Sequence, residues 1–241
     1  MTEAFSPEVN EDNPDPRVAC VLLLDTSDSM RFANPGEPVP IDELNKGIVA
    51  FKEDILEDPL ARKRAEIMVI TCGGDVYTDP NFVEAQDFQP PTLTPQGSTP
   101  MGRALCTALD VIEQQKQVYK QAGIEYYRPW LVVMTDGAPT DDVTQALSRL
   151  SAAQAKKGLV VFPIGIGDAA DMGFLGQLSP DRGAVRLKGL TSFSDFFKWL
   201  SASMSAVSQS ATHGADDAAV EQRAEEVGQV ALKPIDGWAQ I

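Results

Sequence analysis

The chain has 241 residues, a formal net charge of −15 and 43% hydrophobic residues. That apolar content supports a full-size core, while no run approaches the roughly 18 apolar residues needed to span a bilayer. A surface this acidic repels phosphate backbones and anionic lipid, so nucleic acid and membrane are poor partners.

The first sixteen residues, ending Asn13-Pro14-Asp15-Pro16, are acidic and proline-rich. They have neither the basic start nor the apolar stretch of a secretory leader, so a loose arm and a cytoplasmic protein are expected. Val18 to Leu24 is a continuous apolar run of strand length, the mark of a central parallel strand buried on both faces. It ends abruptly in Asp25-Thr26-Ser27-Asp28-Ser29. Ile41 to Leu56 carries Leu44, Ile48, Phe51 and Ile55 at helical spacing, with Asp42 and Glu43 suited to its first turn. Ala65 to Cys72 reads as a second strand ended by Gly73-Gly74, and Phe82 to Phe88 as a short edge strand. Pro90 to Ser98 is a loop rich in Pro, Thr and Gly. A long helix is predicted from Pro100, capped by Thr99 and carrying Leu105, Leu109 and Ile112.

Trp130 to Met134 is another buried strand and closes in Thr135-Asp136-Gly137. A helix over 141–157, a strand over 159–166, a short helix over 172–178, a small strand over 184–187 and a final helix over 192–207 follow. The alternation predicts a doubly wound, mainly parallel α/β sheet of about six strands flanked by helices. That domain is expected over 17–208. Residues 209–231, polar and alanine-rich, read as a flexible acidic linker. Residues 232–241 regain apolar weight, and Ile235 and Trp238 are expected to dock on the domain.

Three cysteines, Cys20, Cys72 and Cys106, with no CxxC pair argue against a disulfide framework or a zinc ribbon and for thiols buried in a reducing compartment. One histidine, His213, in a polar stretch leaves no basis for imidazole metal chemistry or a Ser-His-Asp triad.

In an open parallel sheet, ligands bind beyond the carboxyl ends of the strands, where strand order reverses. Asp25, Ser27 and Ser29 end one strand, Thr135 and Asp136 end another, and Gly97-Ser98-Thr99-Pro100 precedes a helix on the same edge. Oxygen donors without His or thiolate select a hard cation such as Mg²⁺. Neutral hydroxyl ligands do little to cancel its charge, which leaves a coordination position for an outside carboxylate. Each segment alone is an ordinary turn or helix start; their joint placement on one edge carries the signal.

On these motifs the chain resembles the von Willebrand factor A domains. Asp25, Ser27, Ser29, Thr99 and Asp136 match that family's metal-ion-dependent adhesion site. It is most similar to the bacterial TerY-like branch, found in tellurium-resistance and stress gene neighbourhoods. The shared features are Gly36-Glu37-Pro38 leading to Leu44-Asn45, Thr99-Pro100-Met101-Gly102, Tyr127-Arg128-Pro129-Trp130, Thr135-Asp136-Gly137 and Phe196-Phe197-Lys198-Trp199-Leu200. The resemblance implies a Rossmann-like domain that holds Mg²⁺, with Mn²⁺ or Ca²⁺ as substitutes, at those five residues. It also implies a protein partner that offers an Asp or Glu to the ion, with a kinase or phosphatase encoded nearby as a candidate. Asp28 departs from the glycine common in relatives, and the cysteine-rich module of some TerY-like proteins is missing. Two other readings stand beside this one: a phosphoryl-transfer enzyme of haloacid-dehalogenase type and a structural module without metal. The first is weakened because Ser27 fills the position its acid/base Asp requires.

Overall fold

The computed structural model describes residues 8–33 and 39–187, together with Met204 and the backbone of residues 239 and 240. Its centre is β1 (Val18–Asp25), buried along its whole length. Alternate residues enter two cores: Val18, Cys20, Leu22 and Leu24 face one, and Ala19, Val21 and Leu23 the other. A strand with both faces covered needs helices on both sides. On one side lies α1 (Pro40–Leu56), which contributes Leu44, Ile48, Phe51 and Ile55. On the other lie α3 (Met101–Ala122), α4 (Thr144–Ala155) and α5 (Met172–Leu178). The one-turn helix α2 (Ala61–Arg64) leads into β2 (Ala65–Gly73).

Strands β2, β1, β5 (Trp130–Thr135), β6 (Val160–Ile166) and β7 (Val185–Leu187) pair in parallel in that order. Short antiparallel strands flank them: β3 (Asp75–Thr78) and β4 (Val83–Glu84) on β2, and β8 (Ala239–Gln240) on β7. Among the described residues the sheet thus has eight strands rather than about six. On outermost β3, the Asp75 carboxylate accepts from the Val76 amide (2.9 Å) and pairs with Arg103 (2.9 Å). Because β2 lies on one side of β1 and β5 on the other, strand order reverses between β1 and β5. The carboxyl end of that pair is the natural ligand crevice of such a sheet.

Several boundaries differ from expectation. The edge strand expected over 82–88 shrinks to two residues, and β3 was not foreseen. Helix α4 begins at Thr144, because Asp142 accepts from the Thr144 amide (2.9 Å) and hydroxyl (2.7 Å). The final helix expected over 192–207 lies outside the described residues except for Met204, which is buried in the α1-side core. Residues 209–231, Ile235 and Trp238 also lie outside them.

Within the arm expected over residues 1–16, the described residues 8–16 make specific contacts with the domain. Asn10 and Asn13 amides donate to Glu84 at 3.1 and 2.8 Å, and Asp15 pairs with Arg64 at 2.9 Å. The Arg17 guanidinium donates to the carbonyls of Asn10 (2.9 Å) and Asn13 (2.8 Å). Arg17 is fully buried and forms an ion pair with Glu66 at 3.0 Å. Glu66 also accepts from Gln115 (3.0 Å) and from the Tyr119 hydroxyl. Burial pushes the Glu66 carboxyl above its usual range, against the opposing pull of Tyr119 and Arg17.

Removing the cation would strand a carboxylate in the core. Arg17→Met should therefore cost about 3–5 kcal/mol in urea unfolding at neutral pH. The sign with pH follows from a folded pKa raised above the unfolded one. Ionised Glu66 opposes folding at neutral pH, and this penalty fades as the pH falls through the raised pKa. The loss in Arg17→Met should accordingly shrink towards acid pH. A loss that stays constant with pH would show that Glu66 is not the stranded group.

Candidate metal centre

At the crevice, β1 delivers Asp25 into a dry environment, with 0% of the residue exposed. Its Oδ1 accepts from the Ser27 amide (2.8 Å) and its Oδ2 from the Thr135 hydroxyl at the end of β5 (2.5 Å). After Asp25 the chain turns into a single 3-10 turn over Asp28–Arg31. This turn brings the Ser27 and Ser29 hydroxyls to 2.9 Å from each other. The Ser29 hydroxyl donates to Asp136 Oδ1 at 2.7 Å, so the loops after β1 and β5 meet through side chains. Asp25, Ser27, Ser29 and Asp136 therefore lie together at this edge.

Thr99 stands on the same edge, 5% exposed, on a loop stitched to its neighbours by main-chain bonds. The Gln96 amide donates to the Thr26 carbonyl at 2.7 Å, and the Gly97 carbonyl accepts from the Asp28 amide at 2.9 Å. The Gly74 amide reaches the Ser98 carbonyl at 2.7 Å, and the Thr140 amide reaches the Thr99 carbonyl at 2.9 Å. Glycine is required where these loops touch: at Gly97 (φ +61°) a Cβ would fall 2.5 Å from the Gly74 Cα. A Cβ at Gly73 would fall 2.4 Å from the Thr26 carbonyl oxygen.

One expected role of Thr99 is corrected. It does not cap α3: the helix begins one residue later than expected, at Met101, and its Gly102 and Arg103 amides donate to Asp141. Thr135 was recognised as a strand-end residue but not as a partner of Asp25, and Asp141 was not foreseen. Asp28, the departure from glycine, is exposed and 3.4 Å from Arg31. Phe32, which follows this turn, is 70% exposed. A hydroxyl-rich cleft of about 240 Å³ opens beside the same loops, lined in part by Thr26, Thr71, Tyr77, Asp79, Thr94 and Gln96.

Electrostatics test whether a cation fits. Burial raises the Asp25 carboxyl to about 6, against hydrogen bonds from Thr135 and Ser27, and the nearby Asp136 charge raises it further. Burial raises Asp136 as well, opposed by its bond from Ser29. Neither carboxylate has a Lys or Arg partner among the described residues. Two desolvated carboxylates without a counter-charge, beside converging hydroxyls, form a donor set that fits a hard divalent ion. Cys20 and Cys72 are buried and Cys106 half-buried, all three free, and among the described residues no three His, Cys, Asp or Glu side chains cluster as metal ligands.

Comparison with known proteins agrees with this architecture. A domain from Catenulispora acidiphila described as von Willebrand factor type A is 16% identical, with a TM-score of 0.59 over 79% of this chain and 43% of that one. Proximal thread matrix protein 1 from the mussel byssus, in a form with a zinc-occupied MIDAS motif, is 18% identical, with a TM-score of 0.55 over 82% of this chain and 48% of that one. The pilus adhesin SpaC from Lactobacillus rhamnosus GG is 14% identical, with a TM-score of 0.62 over 80% of this chain and 31% of that one. The chain thus spans less than half the length of these solved proteins, and the likeness is one of fold. A search of curated proteins returns no significant match. The family model of the von Willebrand factor type A domain matches residues 20–199, three quarters of the chain, which therefore belongs to that family.

Proposed function

We propose that this domain is a metal-dependent protein-binding module. Asp25, Ser27, Ser29, Thr99 and Asp136 would hold one Mg²⁺, with Mn²⁺ or Ca²⁺ as substitutes, and the ion would grip an Asp or Glu of a partner. The observation that carries this reading is the Ser27–Ser29–Asp136 bridge across the β1–β5 switch point, beside buried Asp25. When bound, the ion supplies a positive charge that the two carboxylates lack.

The chain's own groups divide the remaining work. Thr135 and the Ser27 amide orient Asp25 so that its charge stays fixed. Ser27 and Ser29 offer neutral oxygens, which leave the ion electrophilic enough to attract an outside carboxylate. Phe32, 70% exposed just after the Asp28–Arg31 turn, offers an aromatic face to the apolar part of a partner. The net charge of −15 requires a basic rim on the partner around its acidic residue.

A phosphoryl-transfer role for Asp25 is disfavoured. Such chemistry needs a second Asp two residues after the nucleophile as acid/base, and Ser27 stands at that position. Two free buried thiols and the absence, among the described residues, of a helix long and apolar enough to cross a membrane are compatible with action in the cytoplasm. A place in a TerY-like stress, tellurium-resistance or phage-defence system, with a neighbouring kinase or phosphatase as partner, rests on the sequence motifs alone.

Mg²⁺ should stabilise the fold by mass action, by about 2.7 kcal/mol at a hundred times its dissociation constant. Thermal melts of the wild type should rise with Mg²⁺, whereas Thr99→Ala and Asp136→Ala proteins should not respond. Equal responses in all three would sink the metal assignment.

Partner capture from cell extract should weaken with EDTA and with added salt, because the rim attraction is screened over about a Debye length. Capture by Asp136→Ala protein that matches the wild type would argue for a metal-independent interface.

A further inference from the structure

Asp141 lies outside the proposed ligand set, yet it joins two of the loops that carry that set. Its Oδ1 accepts from the Gly102 amide at 2.7 Å and its Oδ2 from the Arg103 amide at 2.9 Å. Both amides belong to the first turn of α3, where no acceptor exists within the helix. One residue earlier, the Thr140 amide holds the Thr99 carbonyl at 2.9 Å. The two segments fit without slack: a Cβ at Gly102 would fall 2.2 Å from the Asp142 carbonyl oxygen. Asp142 uses its own side chain on Thr144, so the adjacent aspartates serve different helices.

We propose that Asp141 is a positioning residue for the metal centre. It clamps the loop after β5, which carries Asp136, onto the loop before α3, which carries Thr99. It also cancels the positive end of α3. A helix of 22 residues presents roughly half an elementary charge at its N-terminus, which opposes a cation held beside Thr99. A carboxylate bonded to two first-turn amides removes this opposition without occupying a coordination position. The clamp stands on geometry alone; the electrostatic half rests on the metal-binding reading above.

The test uses the full chain with Mn²⁺ as the probe, its free concentration read by electron paramagnetic resonance. Asp141→Asn keeps one carbonyl acceptor and loses the charge; Asp141→Ala loses both. Metal-free amide exchange at Gly102, Arg103 and Thr140 is followed in each protein, together with the melting temperature. Asp141→Asn should keep most of the amide protection and the melting temperature, but bind Mn²⁺ about five- to thirty-fold more weakly. Asp141→Ala should also lose protection at Thr140. Wild-type Mn²⁺ affinity in a folded Asp141→Asn protein would overturn the electrostatic role. Unchanged Thr140 exchange in Asp141→Ala would overturn the clamp. If the alanine variant does not fold, Thr140 exchange in Asp141→Asn, at least modestly faster than wild type if the clamp exists, decides that point. Wild-type protein that takes up no Mn²⁺ would overturn the metal-binding reading itself, while the metal-free exchange data still decide the clamp.

Discussion

The desolvation of one carboxylate governs the upper edge of this domain. Strand β1 is buried on both faces along eight residues, and its last residue is Asp25. Sliding the strand towards solvent would break its register with β2 and β5 and the packing of every side chain in the two cores. Asp25 therefore sits in a dry environment, and its charge is tolerated only through what surrounds it. A hydroxyl and an amide meet its two oxygens, and a second carboxylate stands near enough to raise its pKa. Such an arrangement is costly in the absence of positive charge and favourable in its presence.

Around that carboxylate, the loops are joined by backbone more than by side chains. Main-chain bonds tie the loop before α3 to Thr26, Asp28, Gly74 and Thr140. These bonds do not depend on residue type, so the frame persists while the side chains on it vary. Glycines stand where two backbones pass within contact distance, as at Gly74 and Gly97. The result is a cross-bonded frame on which a few oxygen atoms are placed within hydrogen-bonding reach.

Most of the framework could be read from the sequence because burial on two faces leaves an unambiguous trace. Continuous apolar runs mark β1, β2, β5 and β6, and helical spacing marks α1 and α3. The position of the edge residues was legible for a related reason: Asp25, Ser27, Ser29 and Asp136 follow apolar runs that end abruptly. What escaped notice depends on pairing at a distance. Short β3 has no alternation long enough to distinguish it from a loop. Residues 8–16 look like a loose arm until buried Arg17 is seen to bind their carbonyls. Asp141 reads as the first residue of the helix expected over 141–157, whereas its carboxylate serves α3, 38 residues away at Arg103. Local sequence cannot announce a cap supplied from another loop. Thr135 is inconspicuous for the same reason, since its importance lies across the sheet in Asp25.

The arrangement at the outer strand has a consequence for behaviour at high concentration. An exposed strand edge offers unsatisfied amides and carbonyls on which a second molecule can build, the usual beginning of aggregation. Here β3 is only four residues long, and the Asp75 carboxylate folds back on the Val76 amide while pairing with Arg103. An acidic side chain thus occupies a donor that a foreign strand would need. It also places charge where an intruder's backbone would lie. Together with the formal net charge of −15, this makes the β3 margin of the sheet a poor template for self-association.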